Sequence, residues 1–125
     1  MTASLDCGHA AFFAQGKADQ RHGYAAGRRV GSRPELIRAA LLHDIGKRHA
    51  NLSPVGRAFV TAAAKVGLPV GRRGGIYLDH GRLGAEELRA LGAEPPVIDF
   101  AANHHGERPP SISPADWATL VKADR

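Results

Sequence analysis

The apolar run Ala39-Ala40-Leu41-Leu42 ends directly on the adjacent pair His43-Asp44, and that juncture constrains the chain more than any other stretch. A helix carrying the run has to pack inward, so its last turn draws an imidazole and a carboxylate toward the interior, where polar groups without partners are costly. Those partners must come from other elements. Upstream, Ser32-Arg33-Pro34-Glu35 has the pattern of a capping box, which predicts a helix starting there and carrying the run Leu36 to Ile45.

The remaining punctuation is also helical. Ser53-Pro54 predicts a second start ahead of Val55 to Val66, with Gly67 and Pro69 as its stop. Pro69 to Gly75 holds three glycines and two adjacent arginines and reads as an exposed loop. Leu83, Leu88 and Leu91 fit a helical period over Ile76 to Leu91, closed by Gly92. Pro95-Pro96 restarts the chain into Val97 to His104, and Ser113-Pro114 leads into Trp117 to Lys122. The first 31 residues, with Phe12, Phe13, Tyr24 and Val30 among many alanines, predict one or two helices. No segment shows the alternation of a strand. The expected fold is all-α, an irregular bundle of about five to seven helices. With 125 residues and neither repeat nor linker, residues 1–125 are expected to form one domain.

Composition narrows the function classes. Hydrophobic residues at 43% and charged residues at 23% argue against disorder, and no apolar run reaches the length of a membrane span. Met1 to Gly16 lacks the basic start and sustained apolar block of a signal peptide, so a cytoplasmic location is expected. The single cysteine, Cys7, excludes an intrachain disulfide and is assigned no role. A net charge of +5, from thirteen Arg and four Lys against 12 acidic residues, suits an anionic partner. The arginines are spread along the chain and aromatics reach only 6%, so nucleic-acid binding is not indicated. A homodimer is compatible with the sequence, although no heptad or exposed apolar stripe argues for one.

Seven positions with metal-binding side chains follow in order: His22, His43-Asp44, His80, His104-His105 and Asp124. His9 and His49 read as ordinary surface or core histidines. Imidazole nitrogens and carboxylate oxygens are natural ligands for divalent transition metals, and a carboxylate can bridge two ions. A metal centre between neighbouring helices would supply the partners that His43 and Asp44 need.

The chain here resembles the HD-domain metal-dependent phosphohydrolases. The resemblance runs through Ala39-Ala40-Leu41-Leu42-His43-Asp44-Ile45-Gly46-Lys47, His80-Gly81-Arg82-Leu83-Gly84-Ala85, Asn103-His104-His105 and Leu120-Val121-Lys122-Ala123-Asp124. It implies His22 as the first histidine, His43 as a terminal ligand, Asp44 as the bridging carboxylate and Asp124 as the residue closing the first metal's shell. His80 and His104 resemble the extra pair of a binuclear site, with His105 either a further ligand or a donor behind the ligands. The cofactor implied is two divalent ions, from manganese, iron, nickel, cobalt, zinc or magnesium. Lys47, three residues after Asp44, is either a phosphate contact and catalytic cation or a solvated lysine. Arg72, Arg73 and Arg108 are further substrate-contact candidates, with Arg82 beside them.

Departures from the family pattern bear on substrate. Gly106-Glu107-Arg108-Pro109-Pro110 stands where the cyclic-di-GMP phosphodiesterase branch carries its Gly-Tyr-Pro signature, which argues against that substrate. Ala18 stands where a three-metal variant places a glutamate, and Asp124 is penultimate where family members usually continue. The function implied is hydrolysis of a phosphate ester or anhydride, with a small, nucleotide-like phosphorylated substrate. The same ligands also resemble the mixed-valence di-iron oxygenases of this fold, and a non-catalytic nucleotide-binding module is the third reading.

Overall fold

The computed structural model describes residues 2–125, with side chains described from Gly8 onward, so the Cys7 thiol lies outside the described residues. Eight α-helices and one 3-10 helix follow one another, with no strand among the described residues. They are α1 (Thr2–Phe13), α2 (Lys17–Arg29), α3 (Pro34–Leu42), the 3-10 helix (Ile45–Ala50), α4 (Pro54–Lys65), α5 (Gly71–Leu78), α6 (His80–Ala90), α7 (Pro95–Asn103) and α8 (Pro114–Ala123). The all-α expectation holds, with one helix more than its upper count.

Local chemistry explains both agreements and departures. Ser53 Oγ accepts from the Gly56 amide at 3.1 Å and Ser113 Oγ from the Asp116 amide at 3.2 Å, so both serine-proline starts cap as expected. Gly67 and Gly92 turn the chain out of α4 and α6 with φ of +76° and +78°, a region that favours glycine. The box at Ser32 does not form. Pro34 takes the first helical position behind Arg33, and the Glu35 carboxylate accepts from Arg33 Nε at 2.9 Å.

Three boundaries differ more. The α3 helix stops at Leu42, and the chain tightens into a 3-10 turn through Ile45. The expected loop Pro69 to Gly75 is helical from Gly71, because its glycines serve packing: Gly74 is buried against Val70 and Val60, where a Cβ would meet Val70 at 2.7 Å. The long helix expected over Ile76 to Leu91 breaks at Asp79, which ends α5 and precedes α6.

The centre of the bundle is α3, which touches α1, α2, α7 and α8. Ala39, Ala40, Leu42 and Ile45 are buried there with Phe100 and Leu120. The α2 helix lies close across α3, because Gly23 leaves no room for more: a Cβ there would stand 3.0 Å from the Leu41 carbonyl. That approach brings His22, the preceding residue, over the end of α3. By contrast α4 buries none of its residues, and Val55, Phe59 and Val66 are exposed along it, which corrects the reading that no apolar stripe is exposed. Among the described residues no helix is long and apolar enough to cross a membrane.

Candidate metal centre

Helix ends converge at one place. His43 follows the last residue of α3, His104 that of α7 and Asp124 that of α8, while His80 is the first residue of α6 and His22 lies within α2. Three helix C-termini therefore meet there, and each carries a partial negative charge of about half an electron that favours a cation.

Backbone carbonyls set the orientation of the three buried histidines. Nδ1 of His43 lies 2.6 Å from the Ala40 carbonyl, Nδ1 of His80 2.8 Å from that of Tyr77, and Nδ1 of His104 2.9 Å from that of Ala101. A carbonyl oxygen only accepts, so each Nδ1 carries a proton and each Nε2 is the ring atom left to face the centre. Asp44 stands between two sets of these atoms. Its Oδ1 lies 3.3 Å from His80 Nε2 and 3.2 Å from His104 Nε2. Its Oδ2 lies 3.2 Å from His43 Nε2, 3.8 Å from His22 Nε2 and 3.0 Å from Lys47 Nζ. Asp124 Oδ1 completes the second set, 2.8 Å from His22 Nε2 and 2.7 Å from His43 Nε2.

Short as these approaches are, His43 Nε2 and Asp44 Oδ1 are buried without an aligned hydrogen-bond partner. Buried polar atoms are rarely left in this state unless something binds to them. Two groups of donors result, each with its ligand atoms within 4.8 Å of one another: His22, His43, Asp44 and Asp124, and Asp44, His80, His104 and His105. Nitrogen and carboxylate donors in this arrangement fit divalent transition ions.

Titration behaviour in the metal-free protein reflects the same crowding. Burial lowers the His43 imidazole, but the carboxylates of Asp124 and Asp44 outweigh it and raise it to about 10. Burial also acts against Asp44, yet His104, His43 and His80 hold it well below the ordinary carboxylate range. Asp124 is partly desolvated, and His43 and His22 bring it down to about 2. His105, at the exposed edge, is lowered to about 4 by burial and by the neighbouring His104 and His80.

Of the other candidates from sequence, Lys47 is the one whose charged end reaches the cluster. His105 packs its ring 4.0 Å from that of His104, at the mouth of a cleft of about 240 Å³ bounded also by Asp79, His80 and Arg82. Arg72 is exposed in the first turn of α5. Arg73 gives Nε to the Ala50 carbonyl at 3.0 Å and Nη2 to that of Asn51, and Arg108 gives Nη1 to the Ile112 carbonyl at 2.8 Å. His49 lies 3.2 Å from Glu87 and His9 packs on Phe13, so both stand outside the donor groups.

Two features escaped sequence reading. Gly46 lets the 3-10 helix rest on the first turn of α6: a Cβ there would collide with the His80 carbonyl oxygen and stand 2.8 Å from the Gly84 amide nitrogen. Asp19, one turn before His22, is buried in a bidentate pair with Arg57 at 2.6 and 2.7 Å. A carboxylate on the ligand-bearing face of α2 was the available signal.

The family model described as HD domain matches residues 20–123. No curated protein and no solved structure gives a significant match.

Proposed function

As this chain belongs to the HD domain family, we propose that it is a metal-dependent phosphohydrolase that cleaves a phosphate ester or anhydride of a small nucleotide-like substrate. The observation that carries the reading is the division of Asp44, whose Oδ1 faces His80 and His104 while its Oδ2 faces His43 and His22. One carboxylate between two donor groups suits two ions, drawn from manganese, iron, nickel, cobalt, zinc or magnesium.

Ions held there would supply Lewis acidity toward phosphoryl oxygens and ease deprotonation of coordinated water. The protein's own part is to bind and orient. His22, His43 and Asp124 would hold one ion, His80, His104 and His105 the other, and the Nδ1–H bonds to carbonyls keep three of the rings from turning. Lys47, with its side chain 16% exposed, offers an ammonium to the charge that builds on the phosphoryl oxygens. Arg72, Arg73 and Arg108 belong to the same proposal with a smaller part, since Arg73 and Arg108 already spend donors on backbone carbonyls.

Elemental analysis of the purified protein, run beside phosphate release from a nucleotide panel and a generic phosphodiester with added manganese, tests the reading. About two metal equivalents and metal-dependent phosphate release are expected. Two irons with oxygen consumption and no hydrolysis would replace the reading with an oxygenase, and a metal-free protein without turnover would replace it with a binding module.

A further inference from the structure

We propose that Arg57 is a positioning residue that, anchored to the helix carrying His22, fixes the orientation of His80. This rests on the metal-centre reading above. The contacts form a continuous path. Arg57 Nη1 and Nη2 donate to Asp19 Oδ1 and Oδ2 at 2.6 and 2.7 Å, and Asp19 precedes His22 by one turn of α2. The Arg57 guanidinium carbon lies 5.8 Å from the centre of the Tyr77 ring. That ring stacks on the His80 imidazole at 5.7 Å and 28°, and the Tyr77 carbonyl accepts from His80 Nδ1 at 2.8 Å. His80 is thus held by Tyr77 through both ring and backbone, and Tyr77 is held in turn by a guanidinium anchored to α2.

Stability alone gives little reason for this arrangement. Arg57 belongs to α4, which buries none of its residues, yet it delivers a charge to a buried carboxylate and leaves its own Nε buried without a partner. A buried ion pair usually repays little more than its desolvation cost, and an apolar pair of similar shape serves the fold as well. Side chains behind metal ligands, by contrast, act on metal affinity through ring orientation.

Cobalt(II) titration of the full chain, followed by calorimetry and the visible absorption of the bound ion, tests the proposal, with His80→Ala used to identify the step belonging to the His80 and His104 half. In the paired variant Asp19→Leu with Arg57→Met, that step is expected to weaken about 10- to 100-fold and its spectrum to shift, while the step at His22, His43 and Asp124 changes less than about threefold. Tyr77→Leu should repeat the effect, and Tyr77→Phe, which keeps the ring, should restore wild-type affinity. Unchanged affinities with only a lower Tm would reduce Arg57 to a pin for α4 and overturn the proposal. Equal weakening of both steps would also overturn it. A wild-type chain that takes up no cobalt would remove the metal-centre reading itself.

Discussion

Nε2 of His80 and Nε2 of His104 stand 3.2 Å apart while both Nδ1–H groups are committed to backbone carbonyls. Two lone pairs at that distance repel unless a positive charge lies between or beside them. A divalent ion held beside both nitrogens would supply that charge. Metal binding should therefore raise thermal stability. With free manganese or cobalt at about 100 times its Kd, a gain of about 2.7 kcal/mol is expected, seen as a rise in Tm that excess chelator reverses. A Tm unaffected by either ion or chelator would remove the centre.

Asp44 belongs to both donor groups and His104 to one. Asp44→Ala should reduce bound metal to near zero and abolish turnover, whereas His104→Ala should leave about one equivalent. The metal-free Asp44→Ala protein also keeps imidazoles facing a buried space with no carboxylate, a loss of about 3 kcal/mol. Full activity in Asp44→Ala would defeat the site assignment.

Gly46→Ala probes the contact between the 3-10 helix and α6. Because the added methyl group collides with the backbone of His80, α6 must shift, at a cost of about 1–3 kcal/mol, and the His80 half should lose metal affinity. Gly92→Ala is the control: its φ of +78° makes alanine unfavourable by about 1 kcal/mol, but it has open space around it and should leave metal affinity unchanged. Denaturant unfolding and metal titration of the two variants separate the effects.

Protons and metal compete at His43. Its pKa in the metal-free fold is raised to about 10, so protonation stabilises the folded state fully below about 6.5, the ordinary value, and that contribution is lost as pH rises through about 10. Asp124 acts in the opposite sense: its stabilisation is present above its ordinary value of 3.8 and is lost as pH falls through about 2. A metal ligand has to be deprotonated, so metal affinity should rise from pH 6 to pH 9 with about one proton released at the His22 and His43 half. Calorimetry in two buffers of different ionisation enthalpy measures that proton, and an affinity flat with pH would contradict it.

Lys47→Gln removes a charge 3.0 Å from Asp44 without removing a ligand. A fall of about 10- to 100-fold in kcat/KM with metal content unchanged is expected if the ammonium meets substrate phosphate, equivalent to about 1.4–2.7 kcal/mol of transition-state stabilisation. Loss of metal instead would make Lys47 a support for Asp44.

Much of the molecule is readable from the chain itself. Serine-proline starts at Ser53 and Ser113 and glycine stops at Gly67 and Gly92 act through contacts within one turn, so local sequence specifies them. Residues in both donor groups can likewise be named in sequence order, since few side chain types bind metal. The helical nature of Gly71 to Gly75 was not readable, because its glycines look flexible until Val60 and Val70 are seen to pack against Gly74.

What the sequence by itself determined is which segments coil and which side chains carry the chemistry, because capping, helical period and ligand type are properties of neighbouring residues. Only the tertiary structure decided that Asp44 presents one oxygen to His80 and His104 and the other to His22 and His43, that Gly46 admits α6 beside it, and that Arg57 reaches Asp19. These relationships join residues from separate helices, and they depend on how closely those helices approach, which local propensity does not encode.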